Sequence, residues 1–138
     1  MSPAARTLEA LRAMGYTAEV VERFIPGARI RVDLGGFADV LAWHPIEGIL
    51  AVQSTSGDHV AHRLAKAKAE PRLAAWLEAG GRFAVHGWRL AGARGTPKRW
   101  TCRIEPIGLA ELGIEARRCP RIDDRRAAEA GSAYRLGG

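Results

Sequence analysis

Hydrophobic spacing changes character several times along the chain, and each change marks an expected element. Behind Ser2-Pro3, a helix cap followed by proline in the first turn, Leu8, Leu11 and Met14 recur at helical spacing until Gly15 stops the run. Between Ala18 and Ile25, Val20 and Phe24 alternate with Glu22, which suits a strand as well as a second short helix, and Pro26-Gly27 ends it. Residues 29–36 are polar and glycine-containing, with Asp33 among them. Two apolar stretches follow, Phe37 to Trp43 and Ile49 to Thr55, separated by the turn-forming His44-Pro45-Ile46-Glu47-Gly48; both read as strands. Beyond Ser56-Gly57, Asp58 is placed to cap a helix carrying Val60, Leu64 and Ala67, and Pro71 opens or kinks a second stretch, Arg72 to Ala79, closed by Gly80-Gly81. Arg82 to Leu90 and Arg99 to Ile107 read as two more strands, joined by the glycine- and cation-rich loop Ala91–Lys98. Residues 108–138 carry one short helical possibility, Leu109–Leu112, and otherwise read as a poorly ordered tail. The order predicts a single α/β domain over residues 3–107, a mixed central β-sheet flanked by helices.

Composition narrows the class. The 138 residues, 47% of them hydrophobic, suffice for one domain with a real core. No run of about 18 apolar residues exists to cross a membrane, and Met-Ser-Pro-Ala-Ala-Arg lacks the apolar stretch of a secretion signal. Cys102 and Cys119 form neither a disulfide framework nor a metal cluster, so a reducing, cytoplasmic setting is expected. The net charge of +6 suggests an anionic partner. Its distribution is uneven. Residues 1–59 hold five basic and seven acidic side chains, residues 60–103 hold ten basic and two acidic, and the remainder cancels.

The central hairpin permits a geometric test. A symmetric turn sets Trp43 opposite Ile49, and the same register carries Asp39 to Gln53, with Thr55 on the face of Gln53. Directly opposed residues have Cβ atoms about 4.5–5.5 Å apart, close enough to share one cation. A carboxylate at the end of a doubly apolar strand pair is costly unless a cation or hydrogen-bond donors accompany it. Two readings follow: a metal held by Asp39 and Gln53, or side chains satisfied by backbone donors where the strands meet solvent.

Glu9 on a first helix, the segment Gly36-Phe37-Ala38-Asp39-Val40-Leu41-Ala42, then Val52-Gln53-Ser54-Thr55 and a basic helix resemble the PD-(D/E)XK nuclease superfamily. The similarity is nearest to its small Holliday junction resolvase-like and phage nuclease-like branches. Asp33 to Asp39, Gln53 to Gly57 and His86-Gly87-Trp88-Arg89 also resemble a set of phage and prophage proteins. The resemblance spans residues 3–107 and implies an αβββαβ restriction-endonuclease-like core, Mg²⁺ or Mn²⁺ as cofactor, DNA as partner (branched DNA included), hydrolysis of phosphodiesters and a homodimer. It assigns Asp39, Gln53, Glu9 and the carbonyl of Ser54 to the metal. Two positions depart from the pattern: Gln53 replaces an acidic ligand, and Thr55 stands where the family has lysine. The missing positive charge then falls to Arg63, Lys66 or Lys68 on the following helix, or catalysis is lost and a DNA-binding protein remains. Asp33 is the reserve carboxylate.

The expected DNA contacts are Arg63, Lys66, Lys68, Arg89, Arg94, Lys98, Arg99 and Trp100. Trp88 and Trp100 flank the basic loop and suit either base stacking or core packing. His44, His59, His62 and His86 make no zinc-ligand spacing, and the scattered glycines make no phosphate loop.

Overall fold

The computed structural model describes residues 1–115; the expected tail beyond Glu115, including Cys119, lies outside the described residues. Helix α1 (Pro3–Ala13) begins as read, with Ser2 Oγ accepting from Ala5 N at 3.2 Å, and ends before Gly15, whose φ of +91° only glycine adopts freely. Strands β1 (Thr17–Val20), β2 (Arg23–Ile25), β3 (Ile30–Val32), β4 (Val40–His44) and β5 (Gly48–Ser56) follow. A single 3₁₀ turn, Gly57–His59, leads into α2 (Val60–Ala69), then α3 (Pro71–Glu78), β6 (Arg82–Ala91) and β7 (Arg99–Ile107).

Five strands form one mixed sheet in the order β1-β4-β5-β6-β7, with β5 and β6 parallel and the other neighbours antiparallel. The parallel step needs a crossover, which α2 and α3 supply. Their apolar sides bury Val60, Ala67, Leu73 and Leu77 against Phe37, Ala51, Phe83, Val85 and Ile107 on one face. Helix α1 lays Leu11, Ala4 and Leu8 on Val40, Ala42, Leu50, Val52 and Ala84 of the other. This is an α/β domain built as α1-β1-β4-β5-α2-β6, the expected mixed sheet with helices on both faces. No helix among the described residues is long and apolar enough to cross a membrane.

Four local readings are corrected. Residues 18–25 divide into β1 of the main sheet and β2, which pairs with β3 in a small separate hairpin. That hairpin is mostly exposed, so no burial alternation marked β3 in the sequence. The strand expected from Phe37 starts only at Val40, because Gly35 and Gly36 (φ +60° and +76°) fold residues 34–38 into a tight turn. Asp58 caps nothing: it lies inside the 3₁₀ turn, and the α2 N-terminus has no side-chain cap. The turn His44–Gly48 forms as read, and the His44 ring, accepting from the N–H groups of Ile46 and Glu47, holds it.

Gly87 sets the distance between α2 and the sheet. A Cβ there would lie 2.2 Å from Val60 Cγ2 and 3.4 Å from Gly57 Cα. Only a residue without a side chain lets the start of α2 settle directly on β6, beside Thr55, its neighbour on β5.

Candidate functional site

The β4–β5 ladder has the register that the short turn implies, Trp43 opposite Ile49 and Val40 opposite Val52. Asp39 stands one residue before β4. Its N–H donates to Val52 O at 3.0 Å, its carbonyl accepts from Val21 N at 2.9 Å, and its Oδ1 accepts from Ser54 N at 2.9 Å. The carboxylate therefore closes the ladder where the backbone turns away.

That turn brings in a second carboxylate. Leu34 and Ala38 form an isolated antiparallel bridge, Leu34 N donating to Ala38 O at 2.8 Å, and Phe37 is buried in the core as its anchor. Residues flanking such a bridge, Asp33 and Asp39, are brought to its open end side by side. Gln53 adjoins Asp33: with its amide oriented to match donors with acceptors, the side-chain nitrogen donates to Asp33 Oδ2 and to the Phe37 carbonyl, each at 3.1 Å. Asp33, Asp39, Gln53 and Ser54 line one depression of about 210 Å³ together with Glu22, Arg31 and Arg63.

Crowding of carboxylates in a dry place shows in their acidity. Burial pushes the Asp39 carboxyl up to about 7; the Ser54 N–H opposes this, and the charges of Asp33 and Glu22 add to it. Burial also raises Asp33, against the lowering pull of Lys66 and then Arg63 on α2. Those two cations, one helical turn apart, lie near Asp33, and Arg63 lines the depression. Arg63 Nε is buried with no hydrogen-bond partner among the described residues.

The donor set suits a hard divalent cation. Mg²⁺ is usually held by one or two carboxylates, with substrate phosphate and water completing the shell. Here the Gln53 amide lies 3.1 Å from Asp33 Oδ2 and from the Phe37 carbonyl, and Asp39 lines the same depression. Among the described residues no group of three His, Cys, Asp or Glu is arranged for a metal.

The other expected site residues are dispersed. Ser54 points to the opposite face from Gln53, where its Oγ donates to Thr7 Oγ1 at 2.9 Å. Thr55 is buried on the Gln53 face, against Gly87. Glu9 is exposed and absent from the acidic depression, lining instead a groove with Trp88 and Trp100. The buried side of α1 runs through Thr7 and Leu11, and two residues on from Thr7 is roughly 200° round the helix. Lys68 stands in the same relation to Lys66 on α2 and is exposed. Arg89, Arg94, Lys98, Arg99 and Trp100 belong to the β6–β7 hairpin, which runs past Ser56, the last residue of β5. This basic tip projects from the end of the sheet that carries Asp39 and Gln53.

Two contributors escaped the sequence. Glu22 reaches the site because β1 pairs with β4, a register set across the long connection 21–39 that no turn rule specifies. Thr7 is a hub. It accepts from Ser54 Oγ and from Trp88 Nε1, both at 2.9 Å, and lies 3.5 Å from Nδ1 of His86. Burial lowers the His86 imidazole to about 4, so the ring is neutral and its free nitrogen can take the Thr7 proton. Thr7→Val keeps the shape but orphans two buried donors. It is expected to cost about 2–4 kcal/mol by denaturant midpoint, with Thr7→Ser close to the parent.

Comparison with family models, with curated proteins and with solved structures found no match.

Proposed function

We propose that this protein is a Mg²⁺-dependent DNA endonuclease of the PD-(D/E)XK type, acting on branched or duplex DNA. The observation that carries the reading is the shared depression of Asp33, Asp39, Gln53 and the α2 cation Arg63, with Lys66 near enough to act on Asp33. Asp39 and Asp33 would hold the metal, joined by the Gln53 oxygen once the amide turns over, and the metal would polarise the scissile phosphate and make a water more acidic. Arg63 and Lys66 give the phosphate the positive charge that Thr55 cannot. The Arg63 guanidinium, which lines the depression, would meet the phosphate there, and Lys66 would neutralise charge near Asp33 as the backbone enters. Arg89, Arg94, Lys98 and Arg99 hold flanking phosphates, so affinity falls steeply with salt. A homodimer would cut two strands symmetrically.

The carboxylate set differs from the one the resemblance implied: Asp33 stands in for Glu9. The test is cleavage of junction, flap and linear DNA with Mg²⁺ or Mn²⁺ by the parent and by Lys66→Ala and Arg63→Ala. Cutting by the parent, reduced roughly 10²-fold or more in either variant, is expected if these side chains stabilise the transition state. Salt-sensitive binding with no cutting of any substrate would leave the second reading, a DNA-binding protein that kept the fold and lost the chemistry.

A further inference from the structure

On the α1 face of the β6–β7 hairpin lies a groove of about 270 Å³ that the acidic site does not use. Its floor is Trp88 and Trp100, diagonal neighbours in the register that pairs Trp88 with Cys102 and Leu90 with Trp100. Its wall is Arg6, Glu9, Ala10 and Ala13 of α1. The two alanines keep the helix surface away from the indoles, which leaves the groove open. Arg6 sits over Trp100, its guanidinium carbon 3.6 Å from the ring centroid. Among the described residues Glu9 has no ion-pair partner. Trp88 is fixed from behind by its bond to Thr7, while Trp100 is 46% exposed.

A planar cation on an exposed indole occupies the position that a planar, electron-poor ring would take. Arg6 itself supplies a cation for a phosphate, and with it in the groove wall stands Glu9, a carboxylate that only accepts hydrogen bonds. We propose that this groove is a slot for one unpaired nucleobase of a single-stranded or splayed nucleotide. The base stacks on Trp100, Arg6 moves from the ring to the flanking phosphate, and Glu9 accepts from donors on the base edge. Guanine, with two adjacent N–H donors on its Watson–Crick edge, fits that carboxylate best. The assignment rests on the DNA-binding half of the proposed function and is independent of cutting.

The experiment uses full-length protein in EDTA with an oligothymidylate, the same strand carrying one central guanine, and a hairpin duplex of equal length. Binding is followed by tryptophan fluorescence. The single strands should quench the parent, the guanine strand should bind more tightly, and Trp100→Ala should weaken single-strand binding roughly 5- to 100-fold. Trp100→Phe should restore most of it, and duplex affinity should stay within about twofold. Trp100 is half-exposed, so its truncation empties no core. An unchanged single-strand affinity in Trp100→Ala, or an equal loss on the duplex, would overturn the slot. Equal affinity of the parent for the two single strands would overturn the role of Glu9. Cutting without any dependence on Trp100 keeps the nuclease and removes the slot, whereas Trp100-dependent binding without cutting does the reverse.

Discussion

Asp39→Asn is expected to abolish metal-dependent cleavage and, in the absence of metal, to raise the melting temperature at pH 8. The folded carboxyl gives up its proton only near pH 7, against an ordinary value of 3.8. The unfolded chain therefore releases that proton first, and the metal-free fold loses stability as pH climbs between these values. The full span corresponds to about 4 kcal/mol at most. Asparagine keeps an oxygen for the Ser54 N–H and removes the charge, so the variant should lose this pH dependence. At pH 5 parent and variant should melt within a few degrees of one another, while at pH 8 the variant should lead by roughly 5–10 °C. Mg²⁺ should raise the melting temperature of the parent far more than that of the variant. Identical melting of the two proteins at both pH values would contradict a strained, cation-seeking carboxylate at this position.

Gln53→Glu should act in the opposite sense. It removes the donations to Asp33 Oδ2 and the Phe37 carbonyl and sets another carboxylate among oxygens already 3.1 Å away. Without metal at neutral pH it is expected to destabilise the protein by about 2–5 kcal/mol. With Mg²⁺ or Mn²⁺ the added charge becomes a better ligand, and much of the loss should return. The readout is thermal denaturation in EDTA and in a metal titration, where the variant should show the larger metal-induced shift. A variant as stable as the parent in EDTA would mean that the Gln53 amide does not bridge Asp33 and Phe37.

How much of this was legible in the sequence depends on the length of chain that sets each contact. The β4–β5 register could be read because His44–Gly48 is a short turn, and a short turn fixes which residues face each other. The crossover helices could be read from periodicity, with Pro71 and Gly80-Gly81 as punctuation. The meeting of Asp33 with Asp39 could not, because it depends on two consecutive glycines at positive φ and on the burial of Phe37. A phenylalanine before an apolar run looks like the start of the strand; here it is the anchor of the turn. The helical wheel of α1 did contain a usable signal. Ala4, Leu8 and Leu11 define the packed side, and that spacing takes Thr7 inward and leaves Glu9 outside, against the assignment that the resemblance suggested. The division of charge was visible from the start, but its meaning needed the topology. Only the parallel β5–β6 pairing carries the basic hairpin tip to the end of the sheet where the carboxylates gather.

The Thr7 hub also sets an order of assembly. Asp39 and Ser54 are 15 positions apart, and the acidic depression draws most of its lining from residues 22–63. Thr7 and Trp88 are separated by 81 positions, so the groove beside them closes only when the first helix meets the last hairpin. Contacts across so long a stretch of chain carry the larger closure entropy and form late. In a folding chain the carboxylates therefore come together before the tryptophan groove exists.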